Sequence, residues 1–391
     1  MRVGAWQGER RGGALRLSAR ITWEDRDRAD DTLWFEWPEA LAESVCAEAD
    51  AALVALYPLA MYMRERRLKI DGAVSSRLGD GVRSAMAVIA EQWPAHQPVA
   101  LDITHGRGSR APGDREAAVC FSGGVDALAA VQANVSTTPM GASERYASAL
   151  FVFGLNTFDF VEGMPSAERL VAHELHAARL AAFVESLGMT LLRCSTNLRS
   201  LFPSFDAWWE VASTSYLAAV GHLMRPRIAS LAMGSAGRGS VVGVSPHPLI
   251  DALHATDALS VHGAQAMMTR LEKVRRLTAW PEGLAVLRVC LLIDLPDGGR
   301  LNCGTCEKCV RTMLELIAIG DGALERAPFP VRDVDAGLVG RALGSSHGRA
   351  YVAELAPLLA AQGRNDLADA LTHGLQRHAG TTPAWWQRWR A

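Results

Sequence analysis

The sequence predicts an α/β protein built on a doubly wound parallel sheet. An N-terminal α+β extension precedes the sheet, and a C-terminal cysteine knuckle with helices follows it. Three observations predict this. Short apolar runs alternate with helical stretches from residue 115 to about 280, the pattern of a parallel sheet joined by right-handed crossovers. A glycine-rich turn, Ser122-Gly123-Gly124-Val125-Asp126, leads from the first of these runs into a helix. Four of the seven cysteines, Cys290, Cys303, Cys306 and Cys309, lie close together late in the chain. The chain accordingly divides into residues 1–114, 115–280 and 281–391.

In the first part, Ala14-Leu15-Arg16-Leu17-Ser18-Ala19-Arg20-Ile21 alternates apolar and polar, as a half-exposed strand does. Leu33-Trp34-Phe35-Glu36-Trp37 reads as a second strand stopped by Pro38. Residues 39–63 and 83–92 read as helices, and the Gly, Arg and Pro of 106–114 mark a boundary. This part is expected to shape a substrate pocket or to form a homodimer contact.

In the middle part, Ala117-Ala118-Val119-Cys120-Phe121 reads as a buried parallel strand and Ala127 to Gln132 as a helix opening. Further strands are predicted over 149–155, 189–194 and 228–233, and helices over 166–187 and 207–224. Ligands of such sheets sit at the carboxyl ends of the strands. That rule selects Ser122, Gly123, Gly124 and Asp126 at the first end, and Gly154, Asn156 and Asp159 at the second. It selects Ser195, Thr196 and Asn197 at the third, and Gly234, Ser235, Ala236, Gly237 and Arg238 at the fourth. Two glycines let the first turn approach a ligand closely, and its amides at a helix N-terminus suit phosphate.

Other features are less specific. Thr269 to Leu277 is a basic helix with Arg270 and Lys273 on one face, which on its residues alone reads as a solvated surface. Asp251, after Pro246 and Pro248, reads as a ligand or as the end of a plain turn. His173-Glu174-Leu175-His176 lacks the spacing of a helical metalloprotease site and is read as helix decoration. Cys194, at a strand end, reads as a packed thiol or a persulfide carrier, and Trp208-Trp209 as core rather than a base-stacking platform. The tail, Trp385 to Arg390, reads as a docking segment or as packing against the body.

Net charge is −2, which argues against nonspecific nucleic-acid binding. The start of the chain runs into charge without a signal-peptide pattern, and no apolar run reaches membrane-spanning length. A cytoplasmic location with reduced thiols is expected. Four thiolates then form a closed tetrahedral zinc site of the structural kind, with an iron–sulfur cluster as the competing occupant.

The Ser122 loop resembles the Ser-Gly-Gly-x-Asp-Ser loop of the PP-loop ATP pyrophosphatases, with Ala127 in place of the last serine. Cys303-Gly304-Thr305-Cys306-Glu307-Lys308-Cys309, with Arg311 close behind, is similar to the zinc knuckle of the 7-cyano-7-deazaguanine synthase family. The likeness spans roughly residues 115–320, with its strong motifs at the two ends. It implies an adenine nucleotide alpha hydrolase-like fold. It also implies cleavage of ATP between the α and β phosphates, transfer of AMP to a carboxylate, and attack by ammonia or an amine. On this resemblance Ser122, Gly123, Gly124, Val125, Asp126, Gly154, Gly234 and Ser235 line the ATP site. Asp126 holds Mg2+, Arg270 and Lys273 serve the phosphates, and Cys290, Cys303, Cys306 and Cys309 hold Zn2+. The family's Gly-Gln-Arg-His segment is replaced here by Gly154-Leu155-Asn156-Thr157, so a different acid is expected. A PP-loop sulfurtransferase and a non-catalytic zinc-containing binding module are the alternative readings.

Overall fold

The computed structural model describes residues 1–106, 113–155, 159–161, 164–204, 208, 211, 212, 214–236, 247–290, 300–331, 333–344 and 346–378. The expectations for Asn156, Gly237, Arg238, Trp209 and the Trp385 tail lie outside them.

Among the described residues an eleven-stranded sheet organises the fold. Its strands are β1 (Arg2–Val3), β2 (Gln7–Arg11), β3 (Ala14–Thr22), β4 (Asp31–Pro38), β5 (Arg67–Ser75), β6 (Ala100–Gly106), β7 (Glu116–Cys120), β8 (Tyr146–Phe153), β9 (Thr190–Thr196), β10 (Ile228–Gly234) and β11 (Ser260–Ala264). The spatial order is β11-β10-β7-β8-β9-β4-β3-β1-β5-β6, with β2 on β3. From β11 to β9 every pairing is parallel, and the chain order of these five reads 5-4-1-2-3 across the sheet. The run therefore reverses direction between β7 and β10. The central sheet is mostly parallel and the protein is α/β, as predicted.

The N-terminal strands continue this same sheet. β4 pairs antiparallel with β9 through Ser195 opposite Glu36 and Thr196 opposite Phe35. Residues 39–63 do not form the single helix their composition suggests. A 3-10 turn over Glu39–Ser44 ends at an extended Val45, and helix α1 begins at Ala49 and runs to Tyr62. The break has a tertiary cause: the Cys46 amide donates to the carbonyl of Leu223, 2.8 Å away, at the end of a helix far along the chain. The second N-terminal helix, α2 (Ser76–Gln92), starts earlier than its composition suggests.

Both faces of the central sheet are covered, which is why its strands read as continuous apolar runs. Ala118 and Cys120 pack with α1, α2 and α5 (Ser215–Leu223) on one side. Ala117, Val119 and Phe121 pack on the other with α3 (Val125–Thr137), α4 (Ala167–Ser186), α6 (Arg270–Thr278) and α7 (Glu307–Ile319). The C-terminal helices thus share a core with the loop that precedes α3. Among the described residues no helix is long and apolar enough to cross a membrane.

Candidate functional site

At the carboxyl end of β7 the chain turns through Ser122, Gly123 and Gly124 into α3. Gly123 has φ +74, and a Cβ there would meet the Leu180 side chain and the Val286 carbonyl at 3.2 Å. Glycine is required on both counts. Gly124 is the N-cap, and no side chain caps the helix. The first-turn amides of α3 thus begin at an exposed Ser122 without side-chain acceptors from the cap, an arrangement that favours an anion.

The other strand ends reach this turn at different depths. Gly234, at the end of β10, packs directly on the first turn of α3: a Cβ at Gly234 would lie 2.6 Å from the Asp126 carbonyl carbon and 2.8 Å from the Ala127 nitrogen. Lys273 locks this junction. Its ammonium is wholly buried, lies 2.9 Å from Asp126 Oδ1, and donates to the Ser235 carbonyl. The helix that delivers it is fixed by a capping box between Thr269 and Glu272. Asp126, Lys273, Gly234 and Ser235 therefore meet where the strand order reverses.

Arg270, one helical turn before Lys273, does not touch Asp126. It is buried against Glu315 of α7, with Nε–O distances of 2.9 and 3.2 Å, and donates to the Thr312 hydroxyl at 2.9 Å. Burial works against its charge, but Glu315 and then Asp126 outweigh burial and raise its pKa. Burial also pushes Glu315 up against the pull of Arg270, yet the close paired geometry keeps the two together as an ion pair. Arg311 pairs with Glu307 and stacks over Tyr351, whose hydroxyl burial and Asp126 push up to about 12. The C-terminal helices thus carry charge to the edge of the loop.

Gly154, at the end of β8, has φ +95 and donates its amide to Asp159 at 2.9 Å. Two histidines that read as helix decoration face this end of the sheet instead. His176 Nε2 lies 3.0 Å from the Ser122 carbonyl, and His173 stacks on Phe151 with ring centroids 4.2 Å apart. Burial, then the charge of Arg288, hold both imidazoles near a pKa of about 3, so both are neutral at physiological pH. Spacing alone gave no sign of this, because it tests for a metal motif and not for packing against a distant loop.

The third strand end serves a different purpose from the one expected. Thr196 Oγ1 donates to the Trp34 carbonyl, and Asn197 accepts from the Trp34 amide at 2.8 Å and donates to the Thr32 carbonyl. With Ser195 in the ladder to Glu36, these residues dock β4. Trp208 is core, packed between Phe202 and Tyr216, as read from sequence. Asp251 is wholly buried beside Gly263, whose Cβ position would lie 2.7 Å from Asp251 Oδ2. Burial pushes its carboxyl up to about 8, against the pull of the His247 amide and the Thr214 hydroxyl.

The four late cysteines come together. Their sulfurs all lie within 4.8 Å of one another, with Cys303–Cys309 at 3.8 Å and Cys290–Cys306 at 3.9 Å. A tetrahedron of sulfurs around zinc at about 2.3 Å has edges of about 3.8 Å. Cys303 Sγ accepts from the amides of Thr305 and Cys306 at 3.4 and 3.3 Å, which fixes its position in the knuckle. Bonds with Cys290 and Cys309 hold the Cys306 thiol far below the usual range. The group could hold a metal ion such as zinc.

This centre is tied to the loop by the arm that carries its first thiol. The Arg288 amide donates to the Gly123 carbonyl at 2.8 Å. Buried Asn302 clamps the arm on both sides, accepting from Val289 and Cys290 amides and donating to the carbonyls of Leu287 and Pro328. Comparison with protein-family models, with curated proteins and with solved structures finds no match.

Proposed function

We propose that the chain is an ATP-dependent ligase of the PP-loop kind, forming AMP and diphosphate as it activates a carboxylate for attack by ammonia or an amine. The observation that carries this reading is the junction of Asp126, Lys273, Gly234 and Ser235 beneath the uncapped start of α3. It sits where the order 3-2-1-4-5 reverses, the crevice in which doubly wound sheets bind nucleotides. The amides of Gly123 and Gly124 would grip the diphosphate end of ATP. Asp126 is bonded to Lys273 through Oδ1 and is 30% exposed, which leaves carboxylate oxygen for Mg2+. A carboxylate oxygen attacks the α-phosphorus as the bond to the β,γ-diphosphate breaks. The amine nitrogen then attacks the acyl carbon, AMP departs and the nitrogen loses a proton.

The four cysteines suit a closed, structural Zn2+ centre that braces the arm and α7 against the loop. Sulfur transfer through Cys194 gains no support, because that thiol is buried in the core and burial raises its pKa. The decisive experiment is exchange of labelled diphosphate into ATP, screened against carboxylic acids with Mg2+. Acid-dependent exchange is the expected result. ATP binding without exchange for any acid would leave a non-catalytic nucleotide-binding module, and no ATP binding would end the reading.

A further inference from the structure

Arg288 stands on the arm that joins the cysteine centre to the loop. It lies two residues before Cys290 and is half-buried. Among the described residues its guanidinium makes no hydrogen bond and no ion pair. Asp159 and Cys290 act on it only through their fields, and Arg169 opposes it. A half-buried arginine lacking a carboxylate is costly unless an anion completes it.

Its position says which anion. The Arg288 amide is bonded to Gly123, and its carbonyl oxygen lies 3.8 Å from where a Gly124 Cβ would sit. The arm therefore runs alongside the loop whose amides precede α3. Lys273 stands on the β10 side of the same helix, but its charge is already matched by Asp126. His173 and His176, which lie within reach of the Arg288 charge, are neutral, while Arg169, Arg179 and Arg193 act on this group only through their fields. Among these cations Arg288 is the one whose own backbone is bonded to the loop.

We infer that Arg288 binds the diphosphate portion of the ligand at the Ser122–Asp126 loop, and that the four-cysteine centre supports this binding by holding the Arg288 arm in place. The inference rests on the nucleotide reading above and names a cation that the sequence motifs left out. It also gives the cysteines a part in ligand affinity through Asn302 and Cys290, which fix the backbone on either side of Val289.

The test is calorimetric binding of inorganic diphosphate, and separately of adenosine, to the full chain and to Arg288→Met and Arg288→Lys. Arg288→Met should weaken diphosphate by about ten- to a hundredfold, the range for a charge-assisted contact. Adenosine affinity, bound metal and melting temperature should stay as they are, and Arg288→Lys should keep most of the diphosphate affinity. Stripping the metal with a chelator should weaken diphosphate binding in the wild type and add little in Arg288→Met, because both remove the same contact. Diphosphate affinity within twofold of wild type in Arg288→Met would overturn the inference while leaving the nucleotide reading intact. A wild-type chain that binds neither diphosphate nor ATP would overturn both.

Discussion

The Lys273 ammonium lies 2.9 Å from Asp126 Oδ1, joining two residues 147 positions apart. The pair is asymmetric. Lys273 is wholly buried, whereas Asp126 is 30% exposed. Removing the carboxylate strands a buried charge; removing the ammonium leaves a carboxylate that water can reach. Asp126→Ala should therefore cost about 3–5 kcal/mol, and Lys273→Met clearly less. Urea unfolding of the two variants checks the order, and equal losses would refute the asymmetry. Both should weaken ATP binding if the proposed site is correct.

Gly234 tests how closely the strand end and α3 must approach. Alanine there would place a methyl group 2.6 Å from the Asp126 carbonyl carbon and 2.7 Å from its oxygen. These are backbone atoms, so no side chain can swing aside. Gly234→Ala should destabilise by about 1–3 kcal/mol as the helix start is pushed from the sheet. It should also lower nucleotide affinity. An unchanged urea midpoint would mean that the junction yields without cost.

The cysteine centre makes a compositional prediction. Purified protein should be colourless and hold a single zinc per chain by elemental analysis, with the metal lost in Cys309→Ser. Cys309 is fully buried among Val310, Met313 and Leu314, so the loss should loosen the C-terminal helices, seen as faster amide exchange over 307–319. A brown protein containing iron would assign the sulfurs to a cluster instead.

What the sequence disclosed, and what it hid, follow from one physical distinction. Apolar periodicity reports burial, so Ala117 to Phe121 and its parallel neighbours were legible, as were the turn after them and the cysteine spacing. Periodicity does not name a partner. The antiparallel join of Thr196 to Phe35 spans some 160 residues and leaves no local mark, so Ser195, Thr196 and Asn197 looked like ligand residues when they dock a strand. Arg288 and His176 were missed for the same reason: each gains its meaning from Gly123 or Ser122, far away in sequence. Lys273 was legible as a helix-face cation, but its complete burial was not.

Asp251 gives the last prediction, on pH. Its carboxyl is ordinarily half-ionised near 3.8, and burial raises that to about 8 in the fold. Between those values the folded chain keeps a proton that the unfolded chain has lost, so this residue's contribution to stability is full below about pH 4 and falls as pH rises toward 8. His173, His176 and His254 work the other way. Burial lowers each to about 3, so stability rises as pH climbs from about 3 to the ordinary histidine value of 6.5 and is level above it. Between about pH 6.5 and 8 these histidines no longer contribute, and Asp251 should cost the wild type about 2 kcal/mol. The cost is read as the difference from Asp251→Asn, because buried Lys308, lowered to about 8, pulls both proteins the other way near the top of that range. Asp251→Asn keeps the shape without the ionisable proton and should flatten that slope, while the histidine-linked rise below pH 6.5 persists. Urea midpoints of both proteins across pH 4–9 decide it. Parallel curves above pH 6.5 would show that the Asp251 carboxyl is stabilised as an anion, and that the burial argument is mistaken for this residue.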